Sequence, residues 1–196
     1  MSDLYDRLEE IQDMSRVLTG DVERLRAQLG SRSIQDAITD EQSGARRAYV
    51  RAVFALVEAI VEQHKRLLLD LGARHVVTLD ASAQAVLSEE TYVVADNGAV
   101  SSREQYLQLR RKIRLVYRLA AEALAQPLTV RYDDQGWQQF GEAIEIRDRI
   151  THPKSYADCQ ICGEDLDTVD RGHDWFRGLN NEFVRAAREH REHHQW

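Results

Sequence analysis

A chain of 196 residues, 43% hydrophobic and 30% charged, is long enough to bury a core and reads as one domain of ordinary size. Its formal net charge of −7 at pH 7 excludes a protein that coats nucleic acid by bulk attraction, so any RNA site must be a local basic patch. No apolar run approaches a bilayer span and the start, Met1-Ser2-Asp3-Leu4-Tyr5-Asp6, is acidic, so the expectation is a cytoplasmic chain without signal peptide or membrane helix.

Residues 3–29 repeat Leu4, Leu8, Ile11, Val17 or Leu18, Val22, Leu25 and Leu29 at helical spacing, with a candidate break at Thr19-Gly20 and an end at Gly30. The apolar stripe is narrow, which suits a peripheral helix lying along the body of the protein or along a partner helix in a dimer. Gly30 to Ser43 reads as a polar connector. Tyr49, Val53, Leu56, Val57, Ile60, Leu67, Leu68 and Leu71 then mark a long helix central to the core, opening with Arg46, Arg47 and Arg51. His64 lies one turn from both Ile60 and Leu68, a place where a histidine is usually a core residue rather than a ligand.

Thr78 to Glu90 suggests a short helix, and residues 91–101 read as a small β-hairpin turning on Asn97-Gly98, an insert on the helical body. Ser101 with Glu104 forms a capping box for a helix whose core face is Tyr106, Leu109, Ile113, Val116, Tyr117, Ala120 and Leu124. Alongside runs a basic stripe of Arg103, Arg110, Arg114 and Arg118, with Arg111 beside it. Such a stripe can cradle a phosphate backbone, or its stems can cover apolar surface while the heads stay wet or pair with acids. Pro127 ends that helix and Leu128 to Tyr132 reads as a short extended link.

Asp133 or Asp134 caps the next helix, Trp137, Phe140, Ile144 and Ile150 fall on its apolar side, and Pro153 denies it another turn, making His152 a last-turn residue. Four residues apart on a helix, Asp148 and His152 share a face, so the carboxylate can hold the imidazole in one tautomer. Arg147 is one step round and can grip a phosphate through two parallel hydrogen bonds. An acid, a histidine and an arginine together suit phosphodiester cleavage by an RNA's own 2′-hydroxyl. The competing reading is that basic residues and histidine simply favour the negative end of a helix dipole.

Downstream, Lys154 to Glu164 reads as a loop. Its Cys159-Gln160-Ile161-Cys162 pair is half a zinc site, a redox pair, or two reduced thiols; His152 and His173 are the nearest completing ligands and no second knuckle appears. Asp165 or Asp167 caps a last helix carrying Val169, Trp175, Phe176, Leu179, Phe183 and Val184. Arg185 to Trp196 reads as a charged, fraying end, where His190, His193 and His194 are solvated rather than metal-binding.

The segment Ile144-Glu145-Ile146-Arg147-Asp148-Arg149-Ile150-Thr151-His152-Pro153-Lys154 resembles the signature of the HEPN superfamily: an Arg, a polar residue, a few more residues and a His ending a helix of a small α-helical domain. The resemblance implies an all-α, up-and-down helical bundle of HEPN type, here with the β-hairpin insert. It also implies a metal-independent endoribonuclease of toxin–antitoxin, abortive-infection or CRISPR-linked defence, working as a homodimer with RNA as substrate and without a cofactor. By resemblance Arg147 and His152 are the catalytic pair and Asp148 orients them; Lys154 joins the arginine stripe as an RNA contact. Lys154 stands where members modified by a nucleotidyltransferase antitoxin carry a tyrosine, the nearest here being Tyr156. Other members keep the fold as non-catalytic modules that bind RNA, nucleotide or protein, which is the alternative function. A purely structural helical protein is a third possibility.

Overall fold

The computed structural model describes residues 4–29, 40–124, 128 and 131–194. The chain is all-α with one small antiparallel hairpin. It packs as two compact units, one of residues 1–7, 61–130 and 182–196 and one of residues 8–60 and 131–181. Two long helices, α2 (Asp40–Ala73) and α6 (Gly163–His194), contribute one half to each unit.

The α1 helix (Leu4–Ala27), which belongs to the second unit from Leu8 on, runs unbroken through Thr19-Gly20. Ile11, Val22 and Leu29 are buried whereas Val17 is exposed, which leaves the inward place to half-buried Leu18. The helix is a brace: Arg26 reaches Asp170 of α6 at 3.1 Å, and the Tyr49 hydroxyl of α2 donates to the same carboxylate. The α2 helix begins at Asp40, so Asp40 to Ser43 of the expected connector are helical. The rest of that connector, and the Leu4 and Leu8 side chains, lie outside the described residues, as do Pro127 and most of the expected link after it.

Asp134, not Asp133, caps α5 (Gln135–Thr151), accepting the Trp137 N–H at 2.8 Å. Trp137, Phe140, Ala143, Ile146 and Ile150 are buried; Ile144 is only half-buried, Ile146 taking the inward place. Phe140 stacks on Phe176 of α6 at 6.1 Å between centroids and meets Phe54 of α2 at 6.2 Å. Gly172 of α6 permits this approach, since a Cβ there would stand 3.0 Å from the Phe140 Cα and 3.2 Å from the Ala143 Cβ.

In the first unit Leu67, Leu68 and Leu71 of α2 are buried. The expected short helix is α3 (Ala81–Leu87), capped by Asp80 through the Ala83 N–H at 2.7 Å. Strands β1 (Glu90–Val94) and β2 (Val100–Glu104) pair with Val94 opposite Val100 and Glu90 opposite Glu104. That register leaves the loop Asp96-Asn97-Gly98, in which the Gly98 N–H bonds to the Ala95 carbonyl at 2.8 Å and Gly98 takes φ +79°. The turn is thus a three-residue one rather than a two-residue Asn97-Gly98 turn.

The capping box is overturned. Ser101 and Glu104 belong to β2, and α4 (Leu109–Ala123) starts five residues later, after Gln108, with no side-chain cap. Pairing with β1 satisfies the backbone that a helical turn would have used. Tyr106 is therefore 79% exposed outside the helix, not on its core face. Arg103 sits on β2 opposite Thr91 and leaves the arginine stripe, while Ile113, Val116, Tyr117, Ala120 and Leu124 are buried as expected.

His64 is fully buried, stacked on Phe183 at 3.7 Å, with Nδ1 3.1 Å from the Tyr117 hydroxyl. Burial pushes its pKa from the ordinary 6.5 down to about 3, so the folded state holds it neutral.

Two predictions follow from this packing. Replacing Gly172 by Ala costs about 1–2 kcal/mol because backbone blocks the new methyl. At Gly178, where nothing lies within 4 Å, the same change stabilises by about 0.5–1 kcal/mol. Urea denaturation should give these opposite signs. For His64, the unfolded chain binds a proton that the folded chain refuses between pH 6.5 and about 3. Stability is therefore full above 6.5 and falls by about 1.4 kcal/mol per pH unit below it. In a His64→Phe variant that part of the slope of stability against pH should be missing.

Candidate active site

The last carbonyls of any helix lack intrahelical donors. At the end of α5 and in the segment after it, arginines donate to free carbonyls. Arg51 Nη2 donates to the Ile150 carbonyl at 3.0 Å, Arg47 Nη1 to that of Cys159 at 3.0 Å, Arg149 Nη2 to that of Gln160 at 3.3 Å, and Arg46 Nη1 to that of Ile161 at 2.9 Å. Arg149 also pairs with Asp165 at 2.9 Å. The segment from His152 to Cys162 is thereby tied to the first turns of α2. Within it a short 3-10 turn spans Ala157–Cys159, and Asp158 accepts the N–H groups of Lys154 at 2.8 Å and Ser155 at 2.9 Å. The Lys154 bond, with help from Ser155, holds the Asp158 carboxyl below the usual carboxylate range.

Asp165 is not the N-cap of α6. The helix already starts at Gly163, and Asp165 reaches back to accept the Cys162 N–H at 2.9 Å, the reciprocal half of a capping box. Cys162 Sγ lies 3.3 Å from the same carboxylate, and both cysteines are free thiols. Among the described residues no group of three or more His, Cys, Asp or Glu is arranged to hold a metal ion. His173 is half-buried on α6, and burial pushes its pKa down against the opposing charges of Asp174 and Asp170.

His152 is the residue that closes α5. Its N–H bonds to the Asp148 carbonyl at 3.0 Å, its φ of −126° leaves the helix, and its side chain is exposed. The Asp148 carboxylate does not hold the imidazole. It accepts from Arg147 Nη1 at 2.7 Å instead, so the structure joins Asp148 to Arg147 and not to His152. Arg147 is further held by Glu58, whose carboxylate meets Nη2, and its guanidinium carbon lies 5.8 Å above the Phe54 ring. Phe54 and Glu58 are one helical turn apart on α2 and so present a ring and a carboxylate to the same arginine. Sequence reasoning missed Glu58. The available signal was a lone acid inside the apolar run Phe54-Ala55-Leu56-Val57-Glu58-Ala59-Ile60.

The other expected RNA contacts lie apart from the motif in the chain. Arg110, Arg111, Arg114 and Arg118 are exposed on α4 in the first unit, Arg118 pairing with Glu122 at 2.8 Å. Lys112 turns the other way, joining Lys65, Glu62 and Glu89 in a charged network at the foot of the hairpin. Lys154 is exposed two residues beyond His152. His190, expected on a solvated end, is buried with Nδ1 3.2 Å from the Leu124 carbonyl, because α6 stays helical to His194 and its apolar side continues. His193 is exposed and the His194 side chain lies outside the described residues.

Among the described residues no helix is long and apolar enough to cross a membrane. Comparison with protein families, with curated proteins and with solved structures finds no match to this chain.

Removing one tie should loosen the segment after His152. In an Arg47→Ala variant, amide hydrogen exchange across Ala157–Cys162 should speed up by roughly tenfold, a loss of about 1.5 kcal/mol of local protection. Exchange within Tyr49–Val57 should stay unchanged. Uniform acceleration of both would mean that Arg47 supports the whole unit instead.

Proposed function

We propose that this chain is a HEPN-like, metal-independent endoribonuclease, acting as a homodimer in a toxin–antitoxin or antiphage defence system. The observation that carries the proposal is the exposed imidazole of His152 at the end of α5, with Arg147 and Asp148 bonded to each other one turn before it. His152 takes the proton of the 2′-hydroxyl as its oxygen bonds to phosphorus, and a proton returns to the 5′-oxygen as the P–O5′ bond breaks. The products are a 2′,3′-cyclic phosphate and a 5′-hydroxyl. Arg147 neutralises charge on the pentavalent phosphorus, and Asp148 fixes the direction of its guanidinium. The exposed arginines of α4 and Lys154 are proposed as contacts to the RNA backbone.

A second reading, a non-catalytic module that binds RNA, nucleotide or protein, is favoured by the pairing of Arg147 with two carboxylates, which commits both terminal nitrogens of the guanidinium.

Purified protein incubated with a mixed RNA pool in excess EDTA separates them. The nuclease reading expects cleavage with cyclic-phosphate ends, lost by 10²–10⁴-fold or more in His152→Ala and in Arg147→Ala. Binding without cleavage would support the module. Equal cleavage by wild type and His152→Ala would remove His152 from the reaction.

A further inference from the structure

Two side chains outside the motif meet Arg147, the Phe54 ring and the Glu58 carboxylate, and the second is charged. Glu58 belongs to α2, its side chain is 44% exposed, and Arg147, 27% exposed, is its ion-pair partner. The guanidinium is therefore enclosed on three sides: Asp148 on Nη1, Glu58 on Nη2, and the Phe54 ring beneath. One cation faces two carboxylates, so the group carries a local charge of −1. A planar fork that binds phosphate through two parallel N–H groups already has one contact from each terminal nitrogen on a carboxylate oxygen. Asp148 is adjacent in the chain and on the same helix. Glu58 stands on a different helix and is open enough to swing its carboxylate into water.

We propose that Glu58 is a further residue of this site: the carboxylate that a substrate phosphate displaces from Arg147, and which thereby sets how tightly the site holds phosphate. The inference rests on the reading that Arg147 engages an RNA phosphate. Glu58 acts through Arg147, so it is a positioning residue and takes no part in proton transfer. With Glu58 in place, Arg147 is held ready above Phe54 but occupied. An entering phosphate exchanges one anion for another and releases Glu58 to solvent. An internal phosphodiester carries one negative charge, as Glu58 does, so the advantage in that exchange comes from the neighbouring phosphates of the strand, which favours polyanions over isolated acidic side chains.

The test measures binding of a single-stranded oligonucleotide that lacks the 2′-hydroxyl nucleophile, a DNA 12-mer, to wild type, Glu58→Gln, Arg147→Met and the double variant. Glutamine keeps the shape of glutamate, and methionine keeps an unbranched apolar stem over Phe54. Glu58→Gln is expected to tighten binding about fivefold, as removal of one like charge at contact distance in water implies. The same substitution in the Arg147→Met background is expected to change nothing. On a cleavable RNA, Glu58→Gln lowers KM by more than it changes kcat. If Arg147→Met weakens binding while Glu58→Gln leaves it unchanged or weaker, the displacement idea is overturned and the phosphate role of Arg147 stands. If Arg147→Met does not weaken binding, that role falls and the inference falls with it. Equal tightening by Glu58→Gln in both backgrounds would show that its charge acts without Arg147, which also overturns the proposal.

Discussion

Everything at the motif depends on how the carbonyl groups after Ile146 find donors. A helix that stops against a proline ends with bare carbonyl oxygens, and the segment that follows adds more. Here Arg46, Arg47 and Arg51 of α2, with Arg149 of α5 itself, donate to the Ile161, Cys159, Ile150 and Gln160 carbonyls. Arginine suits the task because its charge cannot be titrated away and its donors sit in a fixed fork. A charge-assisted hydrogen bond contributes about 1.5–3 kcal/mol, which offsets the desolvation of a group as buried as Arg46. The exposed position of His152 is thus a consequence of what lies beneath the loop.

The same helix decides what Arg147 touches. Three arginines in the first turns of α2 address carbonyls, and two turns later Phe54 and Glu58 address the guanidinium. Phe54 also meets Phe140 in the core, so the floor under Arg147 is core packing rather than a loop. Any shift of α2 against α5 would move Arg147 and the His152 segment together. That coupling gives the motif rigid support of the kind a site needs if it is to hold a phosphate in one orientation. Arg46, Arg47 and Arg51 each place one terminal nitrogen on a backbone carbonyl of the α5 end or of that segment.

Helical periodicity carried most of the fold. Tyr49 to Leu71, Ile113 to Leu124 and Val169 to Phe183 recur every three to four residues because one face of each helix is buried, and the residues expected there are buried except Trp175, which is half-buried. The Asp134 cap and the Pro153 stop were legible for the same local reasons. What misled was chemistry that two structures share. Ser101 and Glu104 have capping-box spacing, yet the partner that decides is β1, and a strand exposed along its whole length shows no alternation to betray it. His190 was misread because a charged tail hides the apolar side on which Ala186 and Ala187 are also buried. At the motif, the sequence puts Arg147, Asp148 and His152 within two turns of one another, but which of them pair was not legible. Neighbours on a helix compete for one arginine, and Glu58, far away in sequence, enters only once the chain has folded.

The α4 helix poses the remaining electrostatic question. Its inner side is Ile113, Val116, Tyr117 and Ala120, and its outer side carries Arg110, Arg111, Arg114 and Arg118 in a protein of net charge −7. Solubility alone would be served as well by glutamate, and like charges three or four positions apart on a helix destabilise it by about 0.2–0.5 kcal/mol per pair. Glu122 relieves the last turn, where it meets Arg118. Lys112, on the same helix, shows the other solution, turning inward to Glu62 and Glu89. Exposed arginines this close together repel one another, and a phosphate contact of the kind proposed above would remove repulsion and release a counterion at once.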